Sequence, residues 1–263
     1  MKRILIGLTT AGAVLGLTLI ATNAFFSDVE TSSGNTFTAG GLDLKVDSTC
    51  HYWQFENQAY VEKGCGADEQ HGNWTSSDIG VNYKFFNFAD VKPGDKGENT
   101  VSLTVENDAW LRLSIKNVVN SENSCTEPED ILDEPGIPFP TPDACGTTGE
   151  LGNNLKFTVW LDQGLTPGFG PVNNSPDRGE GNNILDEGEP TLIYEGTVQD
   201  GENWNLSPYP LYPYLKKGDV AYFGIAWNLP SATENEVQSD SMTATMEFQV
   251  QQHRNNPVPT WTP

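Results

Sequence analysis

The densest set of ligand-type side chains lies in Asp177-Arg178-Gly179-Glu180-Gly181-Asn182-Asn183-Ile184-Leu185-Asp186-Glu187-Gly188-Glu189. With Arg178 at the first position of a loop, Glu180 falls third, Asn182 fifth, Asp186 ninth and Glu189 twelfth. Those are the oxygen-ligand positions of a calcium-binding loop, and Leu185 sits where an apolar anchor belongs. Asn183 occupies the sharp-turn position, where Asn is the best substitute for Gly because it tolerates left-handed backbone. Arg178 cannot bind calcium, so Asp177 has to reach in from one residue earlier. No helix is evident on either side. Two readings stand: a calcium site made by Asp177, Glu180, Asn182, Asp186 and Glu189, and a solvated acidic loop.

Sulfur and imidazole are the other chemistry-bearing groups. An even set of cysteines, Cys50, Cys65, Cys125 and Cys145, suggests disulfides in an exported chain. Three connectivities are open. Cys50–Cys65 with Cys125–Cys145 is favoured, because each pair brackets a polar, Gly/Pro-containing stretch. Each closure is worth roughly 3 kcal/mol in the chain-entropy description. A zinc site with His51 and His71 is the rival, but no Cys-x-x-Cys accompanies them. The histidines are His51, His71 and His253, and no two lie one helical turn apart beside a Glu, as common zinc proteases need. Nothing resembles a nucleophile elbow or a Cys–His pair, so no catalytic residue is assigned. Asn73, Asn173 and Asn205 open Asn-x-Ser/Thr triplets that permit glycosylation.

The chain of 263 residues carries a formal net charge of −22. That excludes nucleic-acid binding, which needs clustered Lys and Arg. It favours solubility and attracts divalent cations. Residues 1–24 read as a secretory signal: Lys2-Arg3, an apolar run from Ile4 to Ile20, and small Ala24 as the cleavage residue. An uncleaved anchor is the rival, since the run is marginal for a membrane span. Cleavage between Ala24 and Phe25 by a signal peptidase removes both basic residues and leaves a charge of −24.

The elements that position these groups are strands. Gly and Pro are scattered at short intervals, as many short strands require. The first strand is expected over 36–46, with Leu42, Leu44 and Val46 on one face. Residues 48–78 read as a long polar insertion, which a Cys50–Cys65 bridge would order. Strands are then expected over 79–88, 100–105, 109–119, 155–161, 191–198, 219–229 and 241–251, with apolar residues in alternation in 100–105, 109–119, 155–161 and 241–251. Between them lie an acidic insertion at 120–150, a Gly/Asn/Pro-rich loop at 163–189 and an irregular aromatic stretch at 203–217. The reading is a single all-β domain over 36–252, an antiparallel sandwich of about eight to ten strands with long loop insertions. Residues 25–35 precede it and a flexible tail, 253–263, follows.

Phe25-Phe26-Ser27-Asp28, followed by Asn35-Thr36-Phe37-Thr38-Ala39-Gly40-Gly41-Leu42-Asp43-Leu44, resembles the mature N-terminus of the TasA/camelysin family of secreted proteins with a SipW-type signal. The departure is Gly41, where the family usually has Thr. Lys92-Pro93-Gly94-Asp95 between strands, and Trp227-Asn228-Leu229-Pro230 with the strand ending at Gln251, resemble further signatures, so the likeness spans the chain. The resemblance implies a jelly-roll-like sandwich that assembles into extracellular fibres or pili, at the cell surface or in a biofilm matrix. It implies that Phe25, Phe26, Ser27, Asp28, Val29 and Glu30 form a donor strand for the next subunit. The partners are then further copies of the chain and other matrix proteins. No cofactor is required, calcium being the one candidate. A monomeric surface module binding cations or carbohydrate is the alternative, and an exported metalloprotease the third.

Overall fold

The computed structural model describes residues 27–32, 42–65, 71–80, 82–126, 128–129, 145–165, 168–171, 180–199, 201–212 and 214–261. In chain order the elements begin with β1 (Ser27–Ser32), β2 (Leu44–Glu56), β3 (Ala59–Lys63), β4 (Trp74–Ser77), β5 (Lys96–Val105) and β6 (Ala109–Ser121). A one-turn helix α1 (Leu151–Asn154) and β7 (Lys156–Leu161) follow. Then come β8 (Gly170–Pro171), β9 (Thr191–Gly196), β10 (Trp204–Leu206), β11 (Asp219–Asn228) and β12 (Ser241–Gln252). The chain is all-β and its strand pairs are antiparallel. Twelve strands are described where eight to ten were expected, the surplus being short pieces such as β8 and β10. No helix among the described residues is long and apolar enough to cross a membrane.

The strands make two sheets. The first has the order β1-β12-β6-β10 and the second β3-β2-β5-β11-β7-β9, with β4 paired to β2 and β8 to β11. Alternation decides which side of each strand faces the other sheet. Leu44 and Val46 of β2, Val101, Leu103 and Val105 of β5, and Phe223 and Ile225 of β11 turn inward. They meet Leu111, Leu113, Met246, Phe248 and Val250 of the first sheet. Phe248 joins the layers, its ring 5.9 Å from Phe223 and 5.6 Å from Phe85. A second cluster, Tyr52, Trp227, Leu155 and Leu229, closes one end beside the Cys50–Cys65 bridge.

Three expectations are corrected. Residues 48–78 are not a structureless insertion: β2 runs on to Glu56, turns through Asn57-Gln58 and returns as β3, with β4 beyond. Residues of β3 are exposed on both faces, so no apolar alternation announces the strand. Residues 79–88 are the reverse case. They form no strand, only a bridge between His71 and Lys84, yet Ile79 and Phe85 are buried in the core. Gly72 in this region has φ 76°, and a Cβ there would stand 2.7 Å from that of Cys65, so the disulfide packs on bare backbone. The chain after β12 is not a loose tail over its described part. Trp110 Nε1 donates to the Asn256 carbonyl at 2.7 Å, and the Gln251 side chain holds Thr260 through hydrogen bonds of 2.7 and 3.0 Å. Arg112 lies 4.9 Å from the Trp261 ring. A buried indole needs an acceptor, and this segment supplies it. Residues Ser27–Ser32 form the edge of the first sheet and pair with β12 of their own chain.

Candidate functional site

The described part of the expected calcium loop, 180–189, is fastened to the outer face of the second sheet. Asp162, just after β7, is fully buried. Its carboxylate accepts the backbone N–H of Asn183 at 2.9 Å and of Asn182 at 3.3 Å, and its carbonyl accepts that of Gly181 at 3.1 Å. Glu189 accepts from Gly164 N–H at 2.8 Å and from Asp186 N–H at 2.9 Å. Asn182 donates to Asp186 at 2.9 Å and accepts from Ile184 N–H at 2.7 Å. Asn183 adopts the left-handed backbone expected of it, with φ 68°, and accepts a hydrogen bond from Thr100 of β5. Glu180 bridges to Gln163, and Asp177 lies outside the described residues. The loop therefore runs over Tyr222 and Thr100, on either side of Gly224. Gly224 is where Trp160 lies against the sheet: a Cβ there would be 2.0 Å from the indole. Burial pushes the Asp162 carboxyl up to about 6, with Glu189 adding to the shift and the N–H donors opposing it.

A different carboxylate cluster was not anticipated. Among the described residues, the two sets of three ligand atoms within 4.8 Å of one another both contain Glu122, and neither contains a residue of 180–189. One set is Glu122, Glu150 and Asp240, from the ends of β6, the start of α1 and the approach to β12. The other is Glu122 with Glu129 and Cys145, whose sulfur is committed to Cys125. Asp240 accepts the N–H groups of Glu150 at 2.6 Å and Leu151 at 2.9 Å. Burial raises the Asp240 carboxyl, and the N–H groups of Leu151 and Glu150 and the neighbouring Glu122 side chain oppose the shift. Burial raises Glu122 to about 7, and Glu129 and Asp240 push the same way. Converging oxygens from three segments suit a hard cation or a shared proton.

The open part of the second sheet's outer face holds a cleft of about 580 Å³. Trp53 of β2, Lys96 and Glu98 of β5, Thr158 of β7, Asn228 of β11, Tyr60 of β3 and Ser231 line it. The Lys96 ammonium sits 4.3 Å from the Tyr60 ring centre and 5.3 Å from that of Trp53. His51 stacks on Trp53 at 5.7 Å and pairs with Glu62 at 2.9 Å. Burial raises the Glu98 carboxyl, against the pull of His51 and Lys96. The rim is held by Asp95 of the Lys92-Pro93-Gly94-Asp95 turn. This buried carboxylate accepts from Phe55 N–H at 2.9 Å, Lys92 N–H at 3.0 Å and the Tyr52 hydroxyl at 3.0 Å. The alternation of His51, Trp53 and Phe55 was the signal that could have disclosed this face.

The remaining residues singled out in the sequence fall in separate places. The cysteines pair as Cys50–Cys65 and Cys125–Cys145. His71 lies beside β4, and His253 stacks on Tyr214 at 3.5 Å after β12. Asn73 and Asn205 are exposed, and each side chain accepts a hydrogen bond, from Cys50 N–H and the Ser114 hydroxyl respectively. Ala24, Phe25, Phe26 and Asn173 lie outside the described residues, and of Ser27, Asp28, Val29 and Glu30 only the backbone pairing is described. No curated protein and no solved structure matches the chain. The model of the camelysin metallo-endopeptidase family matches residues 1–52, the signal-like segment through Tyr52 of β2, and so the TasA/camelysin resemblance holds over the N-terminal fifth of the chain.

Proposed function

We propose that this chain is the secreted structural subunit of an extracellular fibre, built by exchange of its N-terminal strand. The observation that carries the reading is the pairing of β1 with β12. β1 is the outermost strand of its sheet, and its ladder runs from Ser27 opposite Gln251 to Ser32 opposite Met246. A ladder at a sheet edge is made of backbone groups that any copy of the same segment can supply. Exchanged between copies, β1 fills the edge of the next β12, and a head-to-tail contact of this kind grows without closing. Cleavage after Ala24 frees the segment, with Phe25 and Phe26 as apolar anchors for the neighbour. The family likeness and the two disulfides fit an extracellular setting.

Purified protein lacking Phe25–Ser33 is expected to fold and to form no fibres in negative-stain micrographs, whereas the full mature chain forms them. Fibres of normal length from the truncated protein would overturn the proposal. The family's description as a metallo-endopeptidase supports a second reading, hydrolysis of protein substrates. Casein cleavage that a chelator abolishes would favour that reading over the structural one.

A further inference from the structure

We infer that the cleft framed by Trp53, Tyr60 and the Lys96–Glu98 segment is a binding site for a neutral saccharide. The inference rests on residues of the second sheet and is independent of strand exchange in the first.

Three features of the cleft lead there. Its lining includes the aromatic rings of Trp53 and Tyr60, the latter 51% exposed. Rings left in water on a strand otherwise carrying charge gain most from an apolar face laid against them. A pyranose offers such a face in its axial C–H groups, with hydroxyls around the edge. The cleft supplies the matching polar groups: the Glu98 carboxylate as acceptor, the Asn228 amide as donor and acceptor, and the hydroxyls of Thr158 and Ser231. Its volume of about 580 Å³ lies within the range of small-ligand sites.

Charge selects among saccharides. Lys96 and Glu98 line the cleft together with opposite charges, so the cleft walls carry no strong field of their own. The chain as a whole carries −22, which repels an acidic polymer at long range. A neutral chain of sugars meets neither penalty. The site is also held ready. Asp95 fixes Phe55 and the 92–95 turn through three hydrogen bonds, and the Cys50–Cys65 bridge ties β2 to the end of β3. Little ordering then remains to be done on binding.

The test is titration calorimetry of the full mature protein with cellohexaose, chitohexaose and dextran, with hyaluronan as the acidic comparison. Near-ultraviolet circular dichroism confirms that each variant is folded. Saturable binding of a neutral oligosaccharide is expected. Trp53→Ala and Tyr60→Ala should each weaken it about tenfold, the scale of one lost aromatic contact. Glu98→Gln should weaken it less, and Val119→Ala, exposed on β6 of the other sheet, should leave it unchanged. Two aromatic variants are used so that a misfolded one leaves the other to decide. The inference is overturned if none of the neutral probes binds, if hyaluronan alone binds, or if both folded aromatic variants bind as the parent does.

Discussion

The loop at 180–189 and the junction of Glu122, Glu150 and Asp240 are made of the same groups and surround them differently. In the loop, backbone N–H groups reach the carboxylates of Asp162 and Glu189, so each negative charge is met by donors. In the junction, donors reach Asp240 and Glu122 as well, from Glu150, Leu151 and Ser124, but the strongest electrostatic neighbours of Glu122 are Glu129 and Asp240, both acids. The contrast teaches that acidity in a sequence does not define a site. What matters is whether donors or further acids converge on each carboxylate. Within the loop, the side-chain oxygens of Asn182, Asp186 and Glu189 accept from Ile184 N–H, the Asn182 amide, Asp186 N–H and Gly164 N–H, while Asp162 and Thr100 tie the loop to the sheet.

The comparison breaks if the two regions respond alike to loss of charge. The largest effect is expected at Asp162. Asp162→Ala leaves the N–H groups of Asn182 and Asn183 without their acceptor and should destabilise the domain by about 3 kcal/mol, measured by urea denaturation. A loss no larger than that of an exposed surface substitution would mean that the loop contributes little. A smaller effect should appear in the dependence of stability on pH. The Asp162 carboxyl is raised from 3.8 to about 6 in the fold, so the folded state holds its proton longer than the unfolded chain does. Its contribution is therefore fully present below about pH 4 and is lost as pH rises through about 6. Asp162→Asn should flatten this part of the profile, and an unchanged slope would assign it to other groups. The smallest effect has the opposite sign. Glu122→Gln removes one charge from a cluster of acids, so it should raise the melting temperature slightly at pH 8. A fall there, like that from Asp162→Ala, would erase the distinction between the two regions.

Much of the fold was readable because its strands are buried on one side. Val101, Leu103 and Val105 alternate with polar neighbours, and so do Met246, Phe248 and Val250; all six reach the core. The signal fails where burial is not one-sided. In β6, Trp110, Arg112 and Ser114 are buried as well as Leu111, Leu113 and Ile115, because chain from beyond β12 and around Ser207–Tyr214 covers the outer face. In β3 neither face is buried, so the strand rests on backbone pairing and the nearby disulfide, which leave no periodic pattern. The candidate sites were less readable than the fold. Asp162 is one acid after a strand, and its donors follow some twenty residues later. Trp53 and Tyr60 were hidden in a stretch that composition marked as polar. Glu122 and Asp240 come together only because β6 and β12 are neighbours.

The pairing of β1 with β12 also bears on the order in which the domain is completed. Ser27 and Gln251 are 224 residues apart, so their ladder closes nearly the whole chain. In an unfolded chain a loop of that length costs about 5 kcal/mol to close, and six paired residues repay little of it until the rest of the sheet exists. Synthesis delivers β1 first and β12 last, so the first strand made must wait for the final one. During that interval a nearly finished domain presents an open β12 edge, and a β1 from any chain can reach it. Under the proposed strand exchange, subunit concentration at the moment of folding sets whether the edge is filled from within or from a neighbour. Refolding at rising concentration should accordingly shift the product from closed monomers to joined chains.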